Sequence, residues 1–560
     1  MSIAFCNIAI AQSPSWQWAK QVIITTSNNG SANGACTSYL SDMDLDGNND
    51  IYLTVPAGGK INIMNSNTIN SANGYISFLI KTSSNGTLLW ADTIGTDIGS
   101  IAVEKNTGNM YFSGRFTGTL KVGSKTFSTA PNDYDICVVK YNGNGSVLWA
   151  DVAGSDSVDG VSNHSTGTDD AGNCFVAGTF DNDTISFQGM SLIPMGNQNG
   201  FVTKYNSNGS VLWTRQIGGA GCDAYISTMC VDKNGNSYIT GSFSAAALSI
   251  GTFTLAPVSS WPTRDIFLAK YDSSGNVAWA KQIQYSGDQC GSYGNGITNM
   301  VSNETGLFIA GTFDDTLNFG NNNMLISGGY CDMFAAKYDS AGNLNFAKQA
   351  TGSGDQIGRD IQVDGMGNFY VTGNCGYGGT GKFDAISISY ASNSYTAYVA
   401  KYNPSGVVQW VKTTNVNSGG SVGEAMACTP GGDCFLTGGI VYTVGFDNSF
   451  VSTASFITDL VFARLGNSSI TSVEHNESLG NITVYPNPFS SSSTIRLNDP
   501  VTSAEVTIYD LYGQKIRTIK NISGQEINIG RENLPGGVYF INVMENDKII
   551  ATNKLVITDN

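Results

Sequence analysis

Short runs of alternating apolar and polar residues, cut by Gly-Asn, Ser-Gly and Asp-rich turns, fill most of the chain up to residue 466. A period of two is the signature of half-buried strands. No amphipathic helical stretch interrupts them. One run recurs seven times: Tyr52-Leu53-Thr54, Tyr111-Phe112-Ser113, Phe175-Val176-Ala177, Tyr238-Ile239-Thr240, Phe308-Ile309-Ala310, Tyr370-Val371-Thr372 and Phe435-Leu436-Thr437. The copies lie about 64 residues apart, longer than the usual propeller period of roughly 40 to 50.

A second pattern is a hairpin, as in Asp265 to Tyr271, then Ser-Ser-Gly-Asn, then Val277 to Gln282. Lys81, Lys140, Lys204, Lys270, Lys337 and Lys401 each stand nine residues before an aromatic, namely Trp90, Trp149, Trp213, Trp279, Phe346 and Trp410. Only six such hairpins are complete. The seventh is split: Asp459 to Arg464 supplies its third strand and Trp18-Ala19-Lys20-Gln21 its fourth, matching Trp279 to Gln282. A split repeat is what a closed ring needs, because the N-terminal strand then covers an edge that would otherwise be free. The fold class is therefore all-β, a seven-bladed propeller closed by an N-terminal strand. The recurring aromatics are expected to pack blade on blade, and the recurring Lys and Asp to form interblade ion pairs or hydrogen bonds. Turns joining first to second and third to fourth strands are short, so one face should be smooth. The longer connections gather on the other face, where a binding site is expected.

Net charge is −16, from 44 acids and 28 bases, and residues 481 to 560 hold 8 of the acids and 7 of the bases. The acidity thus sits in the propeller, which argues against nucleic acid as a partner. Residues 1 to 11 end in Ala9-Ile10-Ala11 and read as the remnant of a signal peptide. No run reaches the 18 or so apolar residues of a membrane span. Eleven cysteines fit an oxidising compartment, and Cys428 with Cys434, flanking one turn, are the local disulfide candidates.

Lys-Tyr-Asp-x-x-Gly-Asn-x-x-Trp-Ala-Lys-Gln, with Asp-x-x-Gly-Asn-x-Tyr-x-x-Gly-x-Phe, resembles the SBBP family of seven-bladed propeller repeats. The resemblance covers residues 14 to 466 of a propeller domain taken as 12 to 466, and implies a fold without a single activity. Residues 467 to 480 read as a linker. Residues 481 to 560 carry Val484-Tyr485-Pro486-Asn487-Pro488-Phe489, Ile508 to Gly513, Leu534 to Phe540 with Gly537 and Tyr539, and Lys554-Leu555-Val556. Short alternating strands there suggest a small Ig-like β-sandwich. These motifs are similar to the type A sorting domain of the type IX secretion system. That similarity implies Sec export, passage across the outer membrane through the type IX machinery, and a surface or secreted address.

Asp42-Met43-Asp44-Leu45-Asp46-Gly47-Asn48-Asn49-Asp50 spaces carboxylates so that they could converge on a hard cation. It resembles the calcium loop of integrin-type propellers, which implies structural Ca2+ held by the side chains of Asp42, Asp44, Asp46 and Asp50 and the carbonyl of Asn48. Trp261 lies in a long connection outside the repeat and is the candidate ligand-stacking residue. Loop acids Asp97, Asp156, Asp159, Asp223, Asp288, Asp355 and Glu424 offer pairs for glycosidase chemistry only if held at the right separation. With His164 and His475 as the only histidines, His-dependent catalysis has little material. The resulting expectation is a non-enzymatic surface or secreted protein binding glycan or protein ligands through the long-loop face. The alternatives are a polysaccharide-active enzyme using loop carboxylates and a purely structural surface component.

Overall fold

The computed structural model describes residues 14–25, 42–63, 67–130, 133–155, 159–258, 264–287, 296–328, 331–376, 379–390, 394–416, 419–447, 449–453, 459–466, 482–509, 515–545 and 548–558. Residues 1 to 11, Trp261 and residues 467 to 480 lie outside them. Contacts divide the chain into two compact units, residues 1–468 and 469–560.

The first unit is an all-β propeller. Among its described residues, pairing resolves into seven four-stranded antiparallel meanders, for example Asp223–Val231, Ser237–Ser244, Asp265–Tyr271 and Val277–Tyr285. The innermost strands touch in sequence around the axis, and Met43–Leu45 contacts both Asp97–Val103 and Ala425–Cys428, which closes the ring. The seam falls where the split repeat predicts it. Ser15–Thr25 pairs antiparallel with Asp459–Gly466, and Trp18 opposes Arg464 just as Trp279 opposes Lys270 and Trp90 opposes Lys81. Trp16 is buried at this seam, its ring edge-on to Phe446 at 5.1 Å.

The extra length of the repeat is a rim hairpin. Leu248–Ile250 with Phe253–Leu255 occupies the second-to-third connection of its meander and pairs onto the outer strand of the preceding one, Ile217 opposite Ile250. The same happens with Leu317 on Tyr285, Phe383 on Ala350, Gly445 on Asn415 and Ile63 on Val22. Outer strands that would present unpaired edges are thereby covered, the protection sheet edges require. Connections that sequence alone treats as loops are thus partly structural.

Blades are also stapled by the recurring Trp and Lys. The indole N–H groups of Trp90, Trp149, Trp213 and Trp279 donate to carbonyls of the next meander's outer turn, Gly143, Ser207, Ser273 and Ser340, at 3.0 to 3.3 Å. Lys81, Lys140, Lys204 and Lys270 donate to those same carbonyls at 3.2 to 3.5 Å. The ion pairs run differently from expectation and stay inside one meander: Lys81 to Asp46 at 3.1 Å, Lys140 to Glu104 at 2.7 Å, Lys204 to Asp169 at 3.4 Å. Each turn acid reaches its own third strand, while the ammonium's remaining donors reach across.

The second unit is hydrogen-bonded as one five-stranded sheet rather than two. Its long strand Ser492–Tyr509 shifts register between Arg496 and Val501 and again before Ala504 and Val506. The bends bring Ile495, Ile508, Ile527, Ile541 and Leu555 into one core.

Candidate functional site

Each inner strand places a small or polar residue at the axis, four positions before the acid or polar residue that caps its turn. Asp42 precedes Asp46, Ser100 precedes Glu104, Thr228 precedes Asp232, Asn299 precedes Asn303 and Asp360 precedes Asp364. Most of these strands carry a register irregularity just before the collar residue, as between Ile98 and Ser100, Ile226 and Thr228, and Gly358 and Asp360. The side chains bond from meander to meander. Ser100 donates to Asp42 Oδ2 at 3.0 Å and accepts from the Thr166 N–H at 3.0 Å. Thr228 donates to the His164 carbonyl at 2.9 Å, Asn299 donates to Asp360, and the Met426 N–H donates to Asp360 Oδ2 at 2.6 Å.

In the third meander the irregularity is larger, spanning Val161 to Thr166, and carries His164 in the left-handed region at φ 48°. A non-glycine there is unusual and swings the imidazole across the axis. His164 Nδ1 lies 2.8 Å from Asp42 Oδ1. Burial alone would lower the imidazole pKa, but the charge and hydrogen bond of Asp42, with Asp360 beyond, lift it to about 9. Burial works to raise Asp42, yet His164 and the N–H groups of Ile101 and Met43 hold it below its ordinary value. Burial pushes Asp360 up to about 6 against the pull of His164 and the Met426 N–H.

Above this collar lies an axial well of about 590 Å³, floored by Asp42, Ser100, His164 and Asn299 and opening among the short first-to-second-strand turns. Its volume falls within the roughly 300 to 1,000 Å³ of ligand pockets. Its lining mixes polar and small apolar residues, among them Asp44, Ala102, Cys230, Val301 and Gln362, and among the described residues no Phe, Tyr or Trp lines it. The cavity is therefore on the face expected to be smooth. Sequence reasoning missed it, although the fixed spacing of four from collar residue to turn cap is visible in the chain.

In the structure the carboxylates of the expected calcium loop are met by groups of the protein itself. Asp42 belongs to the collar. Asp44 accepts from the Val103 N–H at 2.8 Å and pairs with Lys105. Asp46 Oδ1 caps the turn by accepting from the N–H groups of Asn48 and Asp50 at 2.9 and 3.0 Å, while Oδ2 pairs with Lys81. Asp50 also faces Lys81, at 3.3 Å. The Asp46 turn is the one found at Asp169, Asp232 and Asp364, each accepting from the N–H groups two and four residues on. The carboxylates point to different cations of the protein itself, and among the described residues no group of three His, Cys, Asp or Glu side chains is placed to hold a metal.

The structure joins Cys428 to Cys434 by a disulfide, with Cα atoms 4.2 Å apart. Among the loop acids, Asp159 is fully buried and its carboxyl is pushed up to about 7 by burial, with the nearby charges of Asp135 and Asp133 adding to this. Asp156 and Asp288 lie outside the described residues, as does Gly513 of the C-terminal motifs. Asn487, between Pro486 and Pro488, donates to the Lys554 carbonyl and accepts from the Val556 N–H, both at 2.7 Å. Gly537 opens the strand carrying Tyr539, whose hydroxyl donates to the Pro535 carbonyl at 2.9 Å. Tyr485, at 80 % exposure, and Lys554 stand in solvent.

Comparisons with known proteins agree with this division. Residues 483–558 match the secretion system C-terminal sorting domain, and residues 212–242 match the β-propeller repeat. The chain thus carries a β-propeller repeat and, at its C-terminus, a secretion sorting domain. Its C-terminal domain is a type IX sorting domain, which directs it to the cell surface or the extracellular space. An uncharacterized WD repeat-containing protein of Acanthamoeba polyphaga mimivirus is 26 % identical over 243 residues, covering 36 % of this chain and 17 % of that relative. The chain thus spans less than a fifth of the curated relative's length. Among solved structures, a fungal alcohol oxidase of the AA5 family in complex with copper aligns over 83 % of this chain and 98 % of its own, at 12 % identity and TM-score 0.30. A Synechocystis apocarotenoid oxygenase aligns over 80 % and 95 %, at 10 % identity and TM-score 0.36. Likeness at that level carries no chemistry across. Among the described residues no helix is long and apolar enough to cross a membrane.

Proposed function

We propose that this protein is a non-catalytic binding module of the outer surface, a seven-bladed ring whose ligand seats in the axial well. The supporting observation is the well itself: about 590 Å³, within the size range of ligand pockets, with a polar floor. The absence of aromatic walls removes the stacking platforms on which glycan recognition draws, so the reading moves away from a sugar ligand. It also moves from the long-loop face to the opposite one. Among the loop acids, Asp159, whose carboxyl is raised to about 7 chiefly by burial, is 0 % exposed.

The test is a binding screen of the full chain against surface extracts of the producing cells, beside variants that fill the well, Ala102→Trp and Val301→Trp. Binding should fall at least tenfold in the filled variants, with circular dichroism unchanged. Undiminished binding by folded, filled protein would move the site elsewhere.

A further inference from the structure

The fifth meander, Gly296–Asn303, Gly306–Phe313, Asp332–Tyr338 and Leu344–Gly352, breaks the pattern of ion pairs. Its first-to-second turn holds Asn303 where others hold Asp46, Glu104, Asp169 and Asp364. Phe308 follows Asn303 after five positions, rather than the six that separate Asp46 from Tyr52, Asp169 from Phe175 and Asp364 from Tyr370. The shorter turn brings no carboxylate to the third strand. Its acid, Glu304, pairs instead with Lys233. Phe346 stands at the place of the recurring Trp and has no N–H to donate to the next meander. Lys337 is the side chain left over. It is 8 % exposed and lies over the Phe308 ring at 4.8 Å. Its ammonium has no hydrogen-bond or ion-pair partner among the described residues, yet it is not among the atoms sealed from water. The ring contact does not replace the acid: Lys81, Lys140, Lys204 and Lys401 lie over Tyr52, Tyr111, Phe175 and Tyr370 at 4.7 to 5.0 Å and still hold a carboxylate oxygen at 2.7 to 3.8 Å.

We propose that Lys337 is an anion site separate from the axial well, and that it takes a small monocarboxylate, which accepts from the Lys337 ammonium as the turn acids of four other meanders accept from theirs. An ammonium buried without a counter-charge is costly, and a carboxylate accepting from it makes one of the stronger hydrogen bonds. Burial lowers the Lys337 pKa, and no acid is near enough to oppose it. Burial works the same way on Lys81, but Tyr52 and Asp46 raise that lysine overall. The acids of the adjoining turns are already engaged. Asp339 accepts from the N–H groups of Ala341 and Asn343 at 2.9 and 2.8 Å, and Asp364 is held by Lys401, Asn368 and Tyr370. They and the net charge of −16 oppose a dianion more than a monoanion. A carboxylate is also the group that the same place accommodates in four other meanders.

The probes are acetate, chloride and inorganic phosphate, titrated at constant ionic strength into the full chain carrying 13C at lysine Cε. The Lys337 signal is the one missing from Lys337→Arg. Acetate should shift it saturably and about tenfold more tightly than chloride, the worth of one hydrogen bond to a charged group, and more tightly than phosphate. The signals of Lys81 and Lys140, whose carboxylates are in place, should stay where they are. Acetate should also raise the thermal midpoint of the native chain relative to chloride, an effect lost in Lys337→Met and kept in Lys337→Arg. A Lys337 signal that never saturates with acetate, or saturates equally with chloride, would overturn the site. Tighter binding of phosphate would overturn the carboxylate class. An equal acetate effect on the midpoint of folded Lys337→Met would place the anion elsewhere and refute the assignment; should that variant not fold, the labelled signal of the unsubstituted chain decides.

Discussion

Gly275 sits at φ 80° in the outer turn of the fourth meander, directly on the face of Trp213 from the third. A Cβ added there would lie 2.8 Å from Trp213 Cδ2 and 3.0 Å from Cε2, closer than real contacts allow. Gly275→Ala should therefore carry two penalties. Left-handed backbone costs an L-residue about 1 to 2 kcal/mol, and overpacking against a side chain already bonded to the Ser273 carbonyl adds about 1 to 3 kcal/mol. The expected total is about 2 to 5 kcal/mol. Gly320 supplies the control, since it has φ 81° and an added methyl there would have nothing within 4 Å, so Gly320→Ala should cost only the backbone part. Urea unfolding followed by far-ultraviolet circular dichroism would give both, along with Gly275→Ala in a Trp213→Leu background, where the clash is relieved and the cost should fall back to that of Gly320→Ala. Such a cycle isolates the pair term. If Gly275→Ala and Gly320→Ala destabilise equally, the indole does not rest on this turn, and the account of blade-to-blade stapling fails.

Three further outcomes are expected. The His164 pKa is raised from 6.5 to about 9, so its stabilisation is complete below pH 6.5 and is lost as pH rises through 9, an upper figure of about 3 kcal/mol; thermal unfolding midpoints should fall over that window in the native chain and stay flatter in His164→Gln. Asp159 is raised from 3.8 to about 7, so stability is lost as pH rises from about 4 through 7 and the penalty is complete above that, and Asp159→Asn should raise the unfolding midpoint at pH 8 more than at pH 5. Asn487→Ala removes both bonds that tie the Tyr485-Pro486-Asn487-Pro488 segment to the last strand, which should destabilise the sorting domain by about 1 to 3 kcal/mol, read as faster hydrogen exchange at Val556 without change in the propeller.

Periodicity makes the architecture legible in the chain itself. Seven copies of one strand against six complete hairpins imply a split repeat, and the opposition of Trp18 to Arg464 is where that arithmetic places the seam. The sorting domain is legible for a different reason: its motifs are local and ordered, and Asn487 and Tyr539 act on neighbours through short, specific bonds. For the aspartates of residues 42 to 50, spacing along the chain says which residues can converge and not which partners reach them. Lys81, Lys105 and His164 come from other strands, and each pairs with one of these carboxylates.

Alternation, turn chemistry and repeat count are properties of neighbours in the chain, and the sequence by itself therefore determined the all-β ring, its closure by the N-terminal strand and its export tag. The tertiary structure alone decided the rest. Rim hairpins become sheet edges only when a preceding blade stands beside them, and a well exists only when seven inner strands surround one axis. His164 gains its place at the collar from a left-handed bend and from Asp42, which is 122 positions away in sequence and 2.8 Å away in space.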